Sequence, residues 1–316
     1  MNKVIIFIVI LVIIVAIIAL SSAGNYLYNL AINSKYSKDI IFNSSTNNNQ
    51  QEKISKKMRE ESRKWLKSKS NYRELYLISN DGLKLYNYEI INKNVSNKWV
   101  ITVHGYTTNG EWMSPYVEKF YNMGYNIIAP DLRGHGNSEG NYIGMGWDDR
   151  KDIINIIDYI VEKDSNAEIV LFGVSMGAAT VMMVSGEKIP VNVKAIIEDC
   201  GYTSAWEQFS CKLKTMYRLP EFPMMYITNV ICKIKSGYFI KEASAIEQVK
   251  KSVTPIMFIH GDSDGFVPYF MLDKLYDACD SEKEKLVIKG ATHAKAAAVS
   301  PEIYWANISK FINRYL

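Results

Sequence analysis

A strand, a sharp turn and a helix are compressed into residues 168–177, EIVLFGVSMG, and this stretch most constrains the fold of the chain. The apolar run 169–172 predicts a buried strand, and the Ala-rich stretch after Gly177 predicts a helix. The G-x-S-x-G turn between them holds Ser175 at a strained elbow, with Gly173 and Gly177 on either side because a side chain there would clash. The first N–H groups of the next helix then face any negative charge that develops beside the serine. The stretch predicts a nucleophile with half of an oxyanion site; the alternative is a glycine-rich turn that only contains a serine.

Composition narrows the function classes. The 316 residues are 48% hydrophobic and 22% charged, which fits one large globular domain with additional segments. The net charge of +4 comes without an arginine-rich run, so nucleic acid is not expected as a partner. The sequence contains no C-x-x-C pair and no H-E-x-x-H motif, so neither a metal nor a cofactor is predicted. The four cysteines are Cys200, Cys211, Cys232 and Cys279, and a Cys200–Cys211 disulfide and buried free thiols both remain open.

The N-terminal segment predicts contact with a membrane. Residues 4–20 are uninterrupted apolar residues, preceded by Lys3 and followed by Ser-Ser-Ala-Gly. The run exceeds the usual signal-peptide core and lies at the short end of a bilayer span. We favour an uncleaved anchor over residues 1–23, with secretion after cleavage behind Ala23 as the alternative. Lys3 on the cytoplasmic side would place the remainder of the chain outside.

Residues 24–70 are predicted to connect this segment to the domain that follows. Residues 25–51 are polar and rich in Asn and Ser, which is typical of a flexible tether. Residues 52–69 carry eight Lys or Arg residues and a thin apolar stripe, which indicates a basic helix. This helix could lie against an anionic surface or, as the favoured interpretation, be solvated.

From residue 72 onward, strands and helices alternate. Strands are predicted at 74–79, 83–90, 98–103, 125–129, 169–172, 194–198, 255–259 and 285–288. This pattern predicts one domain over residues 71–316, with a mostly parallel sheet covered by helices on both faces and an antiparallel hairpin leading in. A helical insertion at about 202–250, rich in Met and aromatic residues, is expected to lie over the site as a small cap.

Ligands of such sheets bind at the carboxyl ends of the strands, where chemically useful residues recur along this sequence. A serine, acids and a histidine follow one another in the order Ser, Asp, His. A serine hydroxyl is a weak nucleophile at neutral pH and needs a base, which in turn needs an acid to fix its tautomer. His293, after the last strand and before the final helix, is the natural base.

Four motifs make the chain resemble the α/β hydrolases, and more narrowly the bacterial membrane-associated serine hydrolases. They are HGYTTNG at 104–110, DLRGHGNSEG at 131–140, GVSMG at 173–177 and HGDSDGFVP at 260–268. The resemblance covers roughly residues 72–316. It implies Ser175 as nucleophile, His293 as base and Asp264 as acid. It also implies that the backbone N–H groups of Tyr106 and Met176 form the oxyanion site.

Several residues compete for these roles or serve the structure instead. Asp262 could be the acid or only brace its turn, and Asp199 ends a strand where some hydrolases of this fold carry their acid. His104, His260 and His135 are expected to hold loops. Asp131 and Arg133 are expected to pair with each other or to make hydrogen bonds within their loop.

The sequence therefore predicts a membrane-associated serine hydrolase that cleaves small-molecule carboxylic esters through an acyl-enzyme. A peptidase, thioesterase or acyltransferase with the same residues is the alternative among enzymes. A non-catalytic surface binding protein on this fold is the alternative from another class. Substrate and oligomeric state are not predicted.

Overall fold

The computed structural model describes residues 3–42 and 50–316, and in this part of the chain eight strands form one sheet. The strands are β1 (Arg73–Ile78), β2 (Lys84–Ile90), β3 (Lys98–Val103), β4 (Asn126–Pro130), β5 (Glu168–Val174), β6 (Val193–Asp199), β7 (Ile256–Gly261) and β8 (Lys283–Ile288). Their order is β1-β2-β4-β3-β5-β6-β7-β8. β2 is antiparallel to β1 and β4, and the other neighbours are parallel. The predicted mostly parallel sheet with a leading hairpin is confirmed.

Helices cover both faces of this sheet. The helices of the described residues are α1 (Lys3–Ala31), α2 (Asp39–Phe42), α3 (Gln50–Ser68), α4 (Ser114–Asn122), α5 (Asp149–Lys163), α6 (Met176–Ser185), α7 (Ala205–Tyr217), α8 (Met224–Ser236), α9 (Ala245–Val249), α10 (Phe270–Ala278), α11 (Ala296–Val299) and α12 (Pro301–Ile312), with short 3-10 turns at Gly110–Met113 and Ile240–Glu242. They include three that lie outside the two layers on the sheet, namely α1, α7 and α8. Two apolar cores result. Ile101 and Leu171 lie in the core with α5, α6, α9 and α10, whereas Val100 and Val170 lie in the core with α3, α4, α11 and α12. The alternation follows from the two-residue period of a strand that is buried on both faces.

The N-terminal helix α1 is one continuous helix of 29 residues. Its apolar part has a mean hydropathy of 3.7, is exposed, and is long and apolar enough to cross a membrane. By length and composition it suits a membrane anchor or a signal sequence. Its last two turns are different, because Gly24, Tyr28 and Leu30 are buried against the domain.

The flexible tether predicted over residues 25–51 differs from the structure. Residues 25–31 continue α1, and Ile32 is fully buried. Asn33 then forms an antiparallel bridge with Tyr142. The apolar residues of this segment stand among polar ones, so the sequence gives no local sign that they are packed. Only the tertiary structure supplies the surface on which they lie. The remaining part of that prediction, at residues 43–49, lies outside the described residues.

The predicted basic helix corresponds to α3, whose thin apolar stripe packs on the domain. The rings of Trp65 and Tyr121 meet at 5.2 Å, and Leu66 is buried. Arg63 and Lys67 both pair with Glu111. The helix therefore docks beside α4, while several of its lysines remain exposed to solvent.

The predicted cap region contains three helices with different positions. α9 packs on α6 and belongs to the layer beside the sheet. α7 and α8 contact each other, and α8 also packs along the buried end of α1. The cap therefore consists of α7, α8 and the end of α1, which the sequence assigned to another segment.

Candidate active site

Ser175 stands at the turn between β5 and α6, in a backbone conformation that only a tight turn imposes. Its φ is 58° and its ψ is −115°, which is strained for a residue with a side chain. A Cβ on Gly173 would come 2.2 Å from the carbonyl oxygen of Gly177, and one on Gly177 would come 2.1 Å from that of Val103. Both glycines are therefore required, as the G-x-S-x-G motif predicts.

A chain of hydrogen bonds joins Ser175 to His293 and Asp264. Ser175 Oγ lies 2.8 Å from His293 Nε2, and His293 Nδ1 lies 2.7 Å from Asp264 Oδ2. The three residues come from the elbow, from the loop after β8 and from the loop after β7. Parallel strands place these three loops at one edge of the sheet, which explains how residues distant in sequence meet.

The carboxylate of Asp264 is held from both sides. Its Oδ1 accepts the backbone N–H groups of Phe266 at 2.8 Å and Val267 at 2.9 Å. Its Oδ2 faces His293 and also lies 3.3 Å from His260 Nε2. Burial by itself would raise the pKa of Asp264, but the two histidines bring it well below its usual value. The carboxylate is therefore ionised at neutral pH and accepts a hydrogen bond from His293 Nδ1.

The two competing acids do not contact His293 in this way. Asp262 Oδ1 accepts the backbone N–H of Gly290 at 2.6 Å, so this residue braces its turn. Asp199 Oδ2 accepts the hydroxyl of Tyr304 at 2.8 Å, and burial raises the pKa of Asp199 to about 6. Of the three acids that the sequence offered, the structure brings Asp264 to the histidine.

The predicted oxyanion residues lie beside the serine. Met176 is the first residue of α6, where the backbone N–H has no acceptor within its own helix. A Cβ on Gly105 would lie 3.3 Å from Ser175 Cβ, so the loop after β3 that carries Tyr106 rests against the elbow. The side chain of Tyr106 points elsewhere and donates its hydroxyl to the carbonyl of Ala31 at 2.9 Å.

His104 and His135 hold the loops around the site. His104 Nε2 accepts the backbone N–H of Leu132 at 2.9 Å, and His135 Nε2 accepts that of Thr107 at 3.3 Å. Burial lowers the pKa of His135 to about 4, so its ring is neutral and can accept. The structural role expected for these histidines agrees with these contacts.

Asp131 and Arg133 make separate interactions and do not pair with each other. Asp131 accepts the backbone N–H groups of Gly110 and Asn137, both at 2.7 Å. Arg133 binds Asp152 in a bidentate fork, with both distances at 2.8 Å. The prediction that Asp131 pairs with Arg133 is therefore wrong. The structure contains the other alternative, hydrogen bonds that fix the loop.

An apolar pocket of about 800 Å³, open solvent at its mouth included, lies next to Ser175 and Met176. Five Met or aromatic residues of the predicted cap line it, namely Tyr202, Phe209, Met216, Tyr217 and Met225. Three further cap residues, Leu219, Phe222 and Tyr226, are exposed instead. The apolar lining of the pocket suits an apolar small molecule.

Sequence reasoning missed two groups of residues around the site. Leu27, Leu30 and Ala31 of α1 form part of the pocket wall, and their helical spacing is the signal that could have revealed them. Gln51 Oε1 accepts the backbone N–H of Thr292 at 3.1 Å and so holds the loop that carries His293. No motif marks Gln51 for this role.

Within residues 3–42 and 50–316, neither the cysteines nor the candidate metal ligands form a second functional site. All four cysteines are free. Ligand atoms of Cys200, Asp264 and His293 lie within 4.8 Å of one another. Both ring nitrogens of His293 are, however, hydrogen-bonded to Ser175 and Asp264, and burial raises the pKa of the Cys200 thiol well above its usual value. The cluster is therefore part of the Ser-His-Asp arrangement.

Comparisons with known proteins agree with this architecture. A sequence model of the family described as serine aminopeptidase, S33, matches residues 95–221. The protein YqkD of Bacillus subtilis is 26% identical over 215 residues, which cover 68% of this chain and 70% of that protein. The lysophosphatidylserine lipase ABHD12 of Danio rerio is 24% identical over 196 residues, which are 60% of this chain and about half (49%) of that protein.

Solved structures show the same fold. The esterase Pf2001 of Pyrococcus furiosus superposes with a TM-score of 0.65 at 23% identity and covers 80% of this chain and 95% of its own. Its identity is low, so the likeness concerns the fold. Together with the elbow and the sheet order, it shows that the chain has the α/β-hydrolase fold, and the family model that matches residues 95–221 supports a hydrolase.

Proposed function

We propose that this hydrolase cleaves carboxylic esters of acyl chains, with Ser175 as nucleophile, His293 as base and Asp264 as acid. The observation that carries the proposal is the unbroken hydrogen-bond chain from Ser175 Oγ through both ring nitrogens of His293 to Asp264 Oδ2, at 2.8 and 2.7 Å. A base and an orienting acid at these distances are what an unactivated serine needs in order to attack a carbonyl carbon.

In the first half-reaction, Ser175 Oγ bonds to the carbonyl carbon while its proton passes to His293 Nε2. The carbonyl oxygen becomes an oxyanion, which the backbone N–H groups of Met176 and Tyr106 stabilise. Collapse of this intermediate breaks the ester bond, and His293 gives its proton to the departing alcohol oxygen. Asp264 keeps Nδ1 of the ring protonated and stabilises the imidazolium. Water then repeats the sequence on the acyl-enzyme and releases the acid.

The pocket favours an acyl group as the part of the substrate that is held. It is lined mainly by Met, Leu, Ala and aromatic side chains around the serine. Lys212 also borders it, and its ammonium lies 4.0 Å from the centre of the Phe266 ring. Apolar contact area of this kind increases affinity with each additional methylene until the pocket is filled. We therefore expect kcat/KM to rise with acyl length over a series of esters.

A peptidase is the second candidate, because the matching family model carries the name of a serine aminopeptidase. Recognition of a free α-amino group requires a negatively charged or strongly accepting partner near the site. The described residues that line the pocket include the cation Lys212 and no carboxylate. An amino-terminal residue would therefore lack a counter-ion, and this favours the ester over the aminopeptide.

The N-terminal helix is proposed to remain as the anchor, with the catalytic domain on the extracytoplasmic side. Lys3 before the apolar run supports this orientation. The cleavage position considered after Ala23 lies inside α1, next to Gly24, which is buried against α8. Amino-terminal sequencing of the protein isolated from membranes would test the anchor, and a mature chain that begins at Gly24 would contradict it.

The decisive experiment compares the full chain with Ser175→Ala on p-nitrophenyl esters of two to sixteen carbons and on aminoacyl p-nitroanilides. We expect ester turnover and fluorophosphonate labelling in the parent chain, and loss of both in Ser175→Ala. The control is Ser263→Ala, which removes an exposed serine of the loop after β7 and should leave both unchanged. Retained ester turnover in Ser175→Ala would refute the proposal, and turnover of the anilides alone would favour the peptidase.

A further inference from the structure

The helix that is suited to cross the membrane also forms one wall of the pocket. Leu27, Leu30 and Ala31, at the end of α1, border the pocket that contains Ser175. The carbonyl of Ala31 also accepts the hydroxyl of Tyr106 at 2.9 Å. With a rise of about 1.5 Å per residue, Leu30 lies only about 15 Å beyond the end of the apolar run at Leu20. The site is therefore close to the point at which α1 leaves a bilayer.

The contacts between α1 and α8 give the orientation of the cap. Thr228 Oγ1 lies 3.4 Å from the carbonyl of Gly24, and one turn later in α1 the hydroxyl of Tyr28 lies 2.8 Å from Ser236 Oγ. The two helices thus run in the same direction. The residues before Thr228 consequently lie toward the exposed apolar end of α1.

This end of the cap is apolar and exposed. Leu219, Phe222 and Tyr226, which we call the cap tip, are large side chains, and Phe222 is 72% exposed. Two further exposed residues of α8, Val230 and Ile234, continue this apolar surface. Tyr226, Val230 and Ile234 are spaced by four residues and so lie on one side of the helix. Scattered exposed apolar residues need no explanation, but a continuous stripe beside a membrane helix indicates contact with lipid.

The pocket reaches the same end of the cap. Met216 and Tyr217 line it directly before the cap tip, and Met225 lines it within the tip's span. Lys214 and Arg218 are exposed beside these residues, against the single exposed acid Glu221 in this stretch. Cations at this level suit the anionic headgroups of a membrane surface.

We propose that the cap tip inserts into the leaflet that α1 enters, and that the pocket takes the acyl chain of a single-chain ester lipid directly from that leaflet. This inference rests on the proposed ester hydrolysis and names its substrate class. The acyl chain would pass between the end of α1 and α7, whose residues Leu27, Met216 and Tyr217 line the pocket, without crossing water, and its ester would stop at Ser175. The apolar lining of the pocket then continues the apolar environment that the chain leaves.

The test uses the full chain in vesicles of phosphatidylethanolamine and phosphatidylglycerol that contain 1-oleoylglycerol, with p-nitrophenyl butyrate in the water phase as second substrate. We expect the double variant Leu219→Ser/Phe222→Ser to lose at least tenfold in hydrolysis of the vesicle lipid. Its butyrate turnover should stay within twofold of the parent, because neither residue lines the pocket.

The matched control is Val191→Ser/Val253→Ser. These valines are 86% and 89% exposed and precede β6 and β7, at the sheet edge opposite the serine. The control should keep both activities. Equal vesicle activity in the tip and control variants would overturn the inference, as would a parent chain that cleaves butyrate and not the vesicle lipid. A parent chain that cleaves neither would refute the proposed function itself.

A second measurement decides the matter if the tip variant also loses butyrate turnover. Phe222→Trp and Val253→Trp are each compared with the parent for fluorescence quenching by brominated phospholipid. Insertion of the cap tip predicts additional quenching at position 222 and none at position 253. Equal quenching at both positions would overturn the inference without any reference to activity.

Discussion

Replacing Asp264 by asparagine tests the proposed acid more sharply than its removal, because the hydrogen bonds around it dictate how an amide would lie. Oδ1 accepts two backbone N–H groups, from Phe266 and Val267, at 2.8 and 2.9 Å. The amide oxygen of an asparagine must stay there, since its NH2 group would face two donors. The NH2 group then takes the place of Oδ2, 2.7 Å from His293 Nδ1.

A donor at this position reverses the tautomer of His293. Nδ1 has to accept, so the ring proton moves to Nε2 and points at Ser175, and the ring can no longer take the serine proton. A tautomer reversal of this kind lowers kcat by about 10⁴-fold in serine proteases, or roughly 5 kcal/mol at 1.36 kcal/mol per factor of ten. We expect a loss of this order in Asp264→Asn, with little change in fold because side-chain shape is kept.

The assay is steady-state hydrolysis of p-nitrophenyl butyrate by the full chain, together with the rate of fluorophosphonate labelling. Both should fall in parallel, since both need the activated serine. Asp262→Asn and Asp199→Asn are the matched controls, and each should stay within a few-fold of the parent. An Asp264→Asn variant that keeps more than a tenth of the parental kcat would refute the reasoning, and a larger loss in either control would move the acid there.

Three further predictions concern stability and are read from thermal unfolding of the full chain. Burial raises the pKa of Glu198 from 4.5 to about 8, so the folded chain keeps a proton that the unfolded chain loses. Stability should therefore fall by up to about 1.4 kcal/mol per unit between pH 5 and 8. Glu198→Gln should flatten this slope, and parallel curves of Tm against pH would contradict it. Gly177→Ala places a Cβ 2.1 Å from a carbonyl of β3 and should prevent folding, whereas Gly265→Ala meets open space and should leave Tm unchanged; equal Tm values would contradict this. Arg133→Leu leaves Asp152 buried without its partner and should cost about 3 to 5 kcal/mol. Adding Asp152→Leu should restore much of this loss, and an additive further decrease would speak against a buried ion pair.

Much of the fold was predictable because its signals are local. The strand at β3 agrees with the predicted 98–103, and the central strands read as continuous apolar runs because both of their faces are buried. The elbow is equally local, since two glycines and one serine suffice to specify the turn. The ends of the elements are less predictable from the sequence, since α4 begins only at Ser114, directly after a 3-10 turn at Gly110–Met113.

The candidate site was only partly accessible from the sequence. Ser175 and His293 follow from their positions at strand ends, but three acids stood at such ends, and the choice of Asp264 over Asp262 came from family resemblance. Contact with His293 Nδ1 separates them, and that contact depends on the fold of two loops. Gln51 carries no motif for its role, because its partner Thr292 is 241 residues away along the chain.

The sequence by itself determined the alternation of strands and helices, the elbow that strains Ser175, and an N-terminal segment apolar enough for a membrane. Each depends on residues that are neighbours along the chain, so periodicity and turn chemistry suffice. Only the tertiary structure decided which acid meets His293 and that the end of α1 completes the pocket. Those contacts join segments that no local pattern relates, and they exist because the folded sheet and the cap bring them to one edge.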